Sequence, residues 1–391
     1  MDKKKEKRGV YLKFIHTADW HLGKIVHGIY MTENQKYILQ QFLQIIEEEK
    51  PDAIIIAGDL YDRSVPPTEA VDLLNEILYK INIEMKIPVI AIAGNHDSAE
   101  RLSFGSSWLK HSQLYIQGKL SKEIEPINIK GVNFYCVPYA EPGVVRQLHN
   151  NESIHSHQDA MKSIIGKIEE NINKNEPNVL VGHAFVLGGQ SSDSERTLSV
   201  GGSGCVSSDL YAPFSYTALG HLHSPDAIKH DTIFYSGSLL KYSFSEVNQK
   251  KSVNVVDMKQ DGTFTLSKRD LVPKQDMREI SGYFDELMDE SFYKQQKTDD
   301  FLKVTLLDQG TILDPIGKLR KVYPNVLHLE RKWDQSDLKS RNKLAVHKGE
   351  NKTELQLFES FYKQMTERDF DEEKEMIMKD VIVSVKKEEE L

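Results

Sequence analysis

Short apolar runs bounded by glycine and polar residues recur through residues 12–272, separated by stretches of helical period. Runs such as Ala53-Ile54-Ile55-Ile56-Ala57 are too short for a buried helix and read as buried strands. Strand and helix in alternation predict one α/β unit over 12–272. Within it, the helical stretches Glu69 to Ile81 and Glu100 to Lys110 carry Leu73, Leu74, Ile77, Leu78, Leu102, Phe104, Trp108 and Leu109. Most of these are expected in the core. Any left exposed would make a dimer interface, since contiguous exposed apolar patches mark contacts.

The rhythm changes after that unit. Over 276–332 the runs MREIS, FLKVTLL and VLHLER flank two short helical stretches, Tyr283 to Phe292 and Ile312 to Val322, which predicts a small α+β appendage. Residues 334–352 are polar without a strong apolar period and read as a linker. Beyond it Leu355, Phe358, Phe361, Tyr362 and Met365 recur at helical steps, and a second stripe runs through Ile377, Val381 and Val385. A helix pair over 354–391, isolated behind a linker and ending in an acidic tail, buries little against itself. It reads as a docking element for another protein, with packing onto the parent domain as the plainer alternative. At the other end, residues 1–11 begin MDKKKEKRG, basic but without the apolar stretch of a signal peptide, and read as a disordered leader.

The chain has 391 residues, 39% of them apolar, with mean hydropathy −0.48, enough for a core and longer than one ordinary domain. No apolar run approaches the roughly 20 residues that cross a bilayer, so no membrane partner is expected and the cytoplasm is the expected compartment. Cys136 and Cys205 lie outside every ligand motif, which argues against a disulfide framework or a thiolate metal site. A net charge of −9 argues against broad coating of nucleic acid, whose phosphates attract basic surfaces. Residues 367–391 hold ten acidic and five basic side chains, a net −5, which leaves −4 for the rest. Any DNA groove must then be local, or completed by bound cations or a partner.

Five motifs end predicted strands in fixed order: DWH (Asp19, His21), GDLYD (Asp59, Asp62), GNHD (Asn95, His96, Asp97), GHAF (His183) and GHLH (His221, His223). In the four motifs that begin with glycine, that residue lets the chain turn sharply as it leaves the strand, so side chains distant in sequence converge on one rim. Carboxylates, imidazoles and one carboxamide, with no thiolate, suit two divalent cations of intermediate softness such as Mn, Fe or Zn. Two adjacent cations need a shared ligand, and Asp59 is the candidate bridge. Asp19, His21 and His223 then complete the first shell; Asn95, His183 and His221 complete the second. Such a pair clamps the attacking and leaving oxygens of a phosphoryl group. His96 is placed to protonate the departing oxygen or donate it a hydrogen bond, and Asp62, with Asp97 likewise, to orient that imidazole. A single GD or GH dipeptide is usually a turn; the ordered set carries the reading. No GxxxxGK[ST] loop for ATP occurs, GGSG at 201–204 lacks the following lysine, and the HLH spacing is not the i, i+4 pair of helical zinc proteases.

The ladder resembles the calcineurin-like metallophosphoesterases. The strings TADWHLGK (17–24), GDLYDRSVPP (58–67), AGNHDS (93–98), SERTLSVGG (194–202), ALGHLH (218–223) and GSLLKYSFSE (237–246) resemble the nuclease subunits of bacterial SbcCD-type complexes, relatives of the Mre-type double-strand-break nucleases. The resemblance runs from residue 12 to the C-terminal helices. It implies a four-layer αββα sandwich, a capping domain over 276–332, and C-terminal helices that dock an SbcC-type coiled-coil ATPase. It also implies a homodimer of nuclease subunits within a heterotetramer, and two Mn2+ ions, with Mg2+ or Fe2+ as alternatives. The implied activity is 3′–5′ exonuclease action at double-stranded DNA ends and endonucleolytic opening of hairpins, in DNA repair, recombination and replication, with the complex on the nucleoid when engaged. All seven expected ligands stand at motif positions; archaeal relatives have a second histidine where this chain has Asp62. Lys24, His27, Arg63, Arg101, Lys241 and Tyr242 lie in or just after the motif loops and are the candidate DNA contacts.

Two rival readings stay open. A phosphatase or cyclic-nucleotide phosphodiesterase would use the same cation pair, because specificity lives in the surrounding loops. A DNA-end tether would hold two ends through a dimer and leave the metal site secondary.

Overall fold

The computed structural model describes residues 12–195, 204–308, 310–332, 353–366 and 369–389. The expected leader (1–11) and linker (334–352) lie outside the described residues, as do residues 196–203 of the SERTLSVGG string and the glycine turn after it. The chain divides into two compact units at Arg331.

Four parallel strands, β1 (Leu12–Thr17), β2 (Ala53–Ile56), β3 (Val89–Ile92) and β4 (Leu114–Gln117), build most of the first sheet. They are apolar on both faces because both faces are covered. Ile54 and Ile56 join an outer cluster with residues of helices α1 (Thr32–Glu49) and α2 (Thr68–Tyr79), while Ala53 and Ile55 enter a layer between two sheets. The second sheet has the order β9-β8-β7-β6-β5, from β5 (Ile127–Ile129), β6 (Val132–Val137), β7 (Asn178–His183), β8 (Tyr216–Gly220) and β9 (Ile233–Tyr235). Its outer face, Leu180 and Leu219, packs on Ile164, Ile165 and Ile168 of α3 (His157–Glu169). The chain then returns to β1, where β10 (Ser252–Met258) and β11 (Phe264–Asp270) add antiparallel strands.

Between the sheets, the Phe14 ring meets Phe134 and Tyr216 edge-on at centroid distances of 5.7 and 5.4 Å. Truncating such a fully buried phenylalanine costs roughly 3–5 kcal/mol. Helix, sheet, sheet and helix are the four αββα layers expected.

Residues 277–331 form a parallel three-stranded sheet of β12 (Met277–Gly282), β13 (Phe301–Leu306) and β14 (Val326–Arg331) on a separate core that includes Leu287, Leu302, Val304 and Tyr323. The helical stretches there are shorter than expected. Asp289 caps a fresh turn that splits Phe284–Leu287 from Glu290–Tyr293, and Asp314 with Pro315 delays the other to Pro315–Leu319. The predicted helix from Glu100 to Lys110 also breaks. Gly105, with φ +75, separates Ala99–Leu102 from Ser106–Leu109, so Leu102 is buried whereas Phe104 and Trp108 are 78% and 70% exposed.

The second unit holds α4 (Glu354–Thr366) and α5 (Glu372–Glu389), joined where Phe370 packs on Phe358 and Tyr362 at 5.7 and 5.4 Å. Leu357, Phe361, Met376, Ile377 and Val381 stay exposed on this pair. No described helix is long and apolar enough to cross a membrane.

Candidate metal centre

The five motif loops leave the C-terminal ends of β1, β2, β3, β7 and β8, which places them together, as ligand sites of open parallel sheets are placed. Backbone bonds lock them to each other. The Asp19 amide donates to Gly58 O (3.0 Å), the His21 amide to Asp59 O (2.9 Å), the His96 amide to Asp59 Oδ1 (2.8 Å), and the His221 amide to the Asp19 carboxylate (2.9 and 3.1 Å). Asp19, His21, Asp59 and His221 all have positive φ, at 53, 47, 52 and 103°. Each such residue costs roughly 1–2 kcal/mol, and the strain persists because its neighbours over-determine it.

The glycines act in two ways. Gly58, with φ +91, makes the sharp turn that the sequence suggested. Gly94 and Gly220 instead provide room: a Cβ on Gly94 would lie 2.2 Å from Asp59 Oδ1, and one on Gly220 2.0 Å from Ala57 O.

Three overlapping groups bring ligand atoms within 4.8 Å of one another: Asp19, His21 and His223; Asp19, Asp59 and His183; and His21, Asp59 and His96. His21 Nε2 faces His223 Nε2 at 3.0 Å. On the other side, Asn95 Oδ1 is 2.9 Å from His183 Nε2 and 3.1 Å from His221 Nδ1. Asp59 Oδ2 stands between the two niches, 3.6 Å from His21 Nε2 and 3.4 Å from His183 Nε2.

These residues fit a pair of cations. Two buried imidazole nitrogens at 3.0 Å can be reconciled by one shared proton, or by a cation that accepts both lone pairs. His21 Nδ1 is buried without a hydrogen-bond partner. Burial, reinforced by Asp59 and opposed by His183 and His223, pushes the Asp19 carboxyl up to about 7. Burial opposes charge on His183 as well, yet Asp59 lifts that imidazole to about 9. Divalent cations would take the place of these protons. Tautomers are set from outside: His183 Nδ1 donates to Ala57 O at 2.9 Å, which turns Nε2 inward. The His/Asp cluster on this fold is suited to a dimetal site.

His96 is held the same way, with Nδ1 donating to Asp62 O at 2.7 Å. Asp62 contacts this ring through its main-chain carbonyl, while its carboxylate accepts from Lys24 Nζ at 2.7 Å. Asp97 accepts from the amides of Leu60, Tyr61 and Gly94 (3.1, 2.9 and 3.0 Å) and so splices two motif loops together.

The expected DNA contacts divide. His27, Arg63 and Arg101 are exposed, and Lys24 is partly so. Tyr242 is buried instead: its hydroxyl donates to Trp20 O (2.6 Å) and accepts from Gln35 (3.0 Å). Lys241 is engaged inside the protein, on Val247 O (2.8 Å) and the Asp276 carboxylate (3.0 Å). Neither is free to reach a phosphate.

Several supporting residues had no role assigned from sequence. Gln35 accepts from the Gly23 amide and donates to Trp20 O and His21 O, which braces the DWH loop. Glu246, fully buried, lies 3.3 Å from His223 Nδ1 and accepts from Lys251 Nζ at 2.6 Å. Burial opposes its charge, but Lys251 and His223 hold the carboxyl well below its usual range. The string GSLLKYSFSE contains Glu246, whereas no local pattern signals Gln35.

Residues 12–225 match the family described as calcineurin-like phosphoesterase, and residues 273–366 one described as type 5 capsule protein repressor C-terminal domain. The SbcD subunit of nuclease SbcCD from Staphylococcus epidermidis is 40% identical over 358 residues, 91% of this chain and 94% of that one. A dimetal phosphatase from Danio rerio aligns with TM-score 0.38 and 11% identity over 67% of this chain and 99% of its own. The protein TT1561 of Thermus thermophilus aligns with TM-score 0.39 and 12% identity over 66% and 99%. Structural likenesses this distant carry no argument about substrate. Fold, ligand cluster and sequence identity agree on a metal-dependent phosphodiesterase, and the chain belongs to the calcineurin-like phosphoesterases, in the SbcD nuclease family.

Proposed function

We propose that the chain is a DNA nuclease subunit that hydrolyses phosphodiesters at double-strand ends, 3′ to 5′, and at hairpins, together with an SbcC-type ATPase. The observation that carries this reading is Asp59 Oδ2 between two histidine niches, 3.6 and 3.4 Å from their nearest nitrogens. Asp19, His21, Asp59 and His223 would hold one Mn2+ ion, and Asp59, Asn95, His183 and His221 the other. Bound cations supply Lewis acidity toward the phosphoryl oxygens and activate the attacking water. Asp59 holds the two niches in register through the His96 amide and the His21 amide. With Nδ1 fixed by Asp62 O, His96 presents Nε2 on the site side, 4.0 Å from Asp59 Oδ2, and can deliver a proton from that atom to the departing oxygen.

Around this centre, residues 12–272 act as the nuclease domain and 276–332 as a cap. Residues 354–391 dock the ATPase, with Leu357, Phe361, Met376, Ile377 and Val381 exposed on the helix pair for apolar contact. Phe104 and Trp108, exposed and edge-on at 6.0 Å, form part of a homodimer contact. Arg63, Arg101, His27 and Lys24 are the remaining candidates for phosphate contact. The assembly works in the cytoplasm, on the nucleoid, in repair, recombination and replication. Labelled hairpins, and duplexes labelled at either 3′ or 5′ termini, test the reading. Hairpin opening and loss of the 3′ label first support it; turnover of small esters alone favours the phosphatase or cyclic-nucleotide reading. Intact end bridging with full biological rescue by His96→Ala favours the tether.

A further inference from the structure

One short stretch, Lys241–Glu246, touches the cation niche and the 277–331 sheet in turn. Lys241 Nζ bonds the Asp276 carboxylate at 3.0 Å, just ahead of β12, and reaches Met277 O at 3.5 Å. The Tyr242 ring lies edge-on to His21 and His223 at 5.7 and 6.0 Å, and its hydroxyl anchors the DWH loop at Trp20 O. Phe244 meets the ring of His27 at 5.5 Å, and His27 in turn meets His328 of β14 at 6.0 Å. Glu246 ends the stretch against His223 Nδ1 at 3.3 Å, while Lys251, its ion-pair partner, also donates to His223 O at 2.8 Å. Positions 241 and 244 thus hold the small sheet, and positions 242 and 246 hold both histidines of one niche. Nothing comparable reaches the His183 and Asn95 niche among the described contacts.

We propose that Lys241–Glu246 is a mechanical link through which the placement of the 276–332 domain sets the cation affinity of the Asp19, His21 and His223 niche. Tyr242 and Glu246 position ligands; Lys241 acts through them. A residue bonded to a metal ligand typically changes affinity 10- to 100-fold when removed. Lys241 stands one step further out, so about a tenfold effect is expected, confined to one of two cations. Linkage is reciprocal, so cation binding must in turn steady the segment that Lys241 holds. The inference rests on the two-cation reading of this site but not on a DNA substrate.

The test uses the full chain stripped of metal and titrated with Mn2+ against a competing chelator, with backbone hydrogen exchange followed over residues 276–282. The wild type should bind two equivalents and slow its exchange there. Lys241→Met should weaken one equivalent about tenfold, spare the other, and lose the cation-dependent slowing. Asp276→Asn, which leaves the bonds of Lys241 to main-chain carbonyls in place, should do the same more mildly, and Lys241→Arg should restore both readouts. Two unchanged equivalents in Lys241→Met, equal loss of both, or one weakened without any change in exchange would overturn the link. A wild type that binds no second cation would overturn the two-cation reading along with it.

Discussion

Gly220 ends β8 against the backbone of Ala57, and replacing it with alanine isolates the geometric requirement of the site. The backbone of Gly220 lies outside the left-handed region, so the effect of Gly220→Ala is steric. The new Cβ would lie 2.0 Å from Ala57 O, 2.9 Å from His183 Nδ1 and 3.0 Å from Ala18 Cβ. Carbon and oxygen in contact need about 3.3 Å, so β8 and the end of β2 must part by about 1.3 Å from the present 2.0 Å. Ala57 cannot yield freely, because its amide donates to Thr17 O and its carbonyl accepts from His183. Overpacking of this kind costs roughly 1–3 kcal/mol and lowers the melting temperature by several degrees. The chemical cost is larger. Constellations of this type tolerate about 0.5 Å of error, and a 1 Å misplacement costs about 100-fold in rate. Melting of the metal-free protein, metal content after dialysis, and Mn2+-dependent hydrolysis of bis-p-nitrophenyl phosphate read the three quantities. Gly166→Ala is the control: it lies within α3 with open space at its Cβ and should stabilise by about 0.5–1 kcal/mol. A Gly220→Ala protein with two cations, full activity and unchanged melting would refute the close approach as a requirement of the site.

Asp59→Ala should lose metal together with activity, and two tightly held ions in metal analysis would remove Asp59 as the bridge. His16 lies between the sheets with Nε2 against Leu219 O, and burial depresses it to about 3. As pH falls from about 6.5 toward 3 the unfolded chain takes up a proton that the folded chain refuses, so His16 subtracts up to about 1.4 kcal/mol of stability per pH unit in that window. His16→Gln should flatten that part of the slope in urea unfolding; an identical slope would reject the assignment. Deleting residues 354–391 should abolish co-purification of the ATPase while leaving metal content unchanged, and retained co-purification would place docking elsewhere.

Much of the centre was legible because its signals are local. A run like Ala53-Ile54-Ile55-Ile56-Ala57 followed by Gly58-Asp59 states both the buried strand and the residue at its end. Asp97, Gln35 and Lys251 were not assigned their roles because they act on groups distant in sequence: Gln35 braces Tyr242 and Asp97 grips the amide of Leu60. Adjacency misled in the other direction at Lys241 and Tyr242, which follow a motif yet face inward. The break at Gly105 could have been foreseen from the glycine amid small residues in Ser103-Phe104-Gly105-Ser106-Ser107, and it decides that Phe104 and Trp108 point to solvent.

The most direct test of the two-metal nuclease is cleavage of a blunt, end-labelled duplex with Mn2+, with and without the ATPase partner and ATP, alongside His96→Ala. Metal-dependent cleavage stimulated by partner and ATP is predicted, with a loss of roughly 100-fold or more in His96→Ala while both cations are retained. Two bound cations without cleavage under any condition would contradict the two-metal nuclease, as would full activity in His96→Ala.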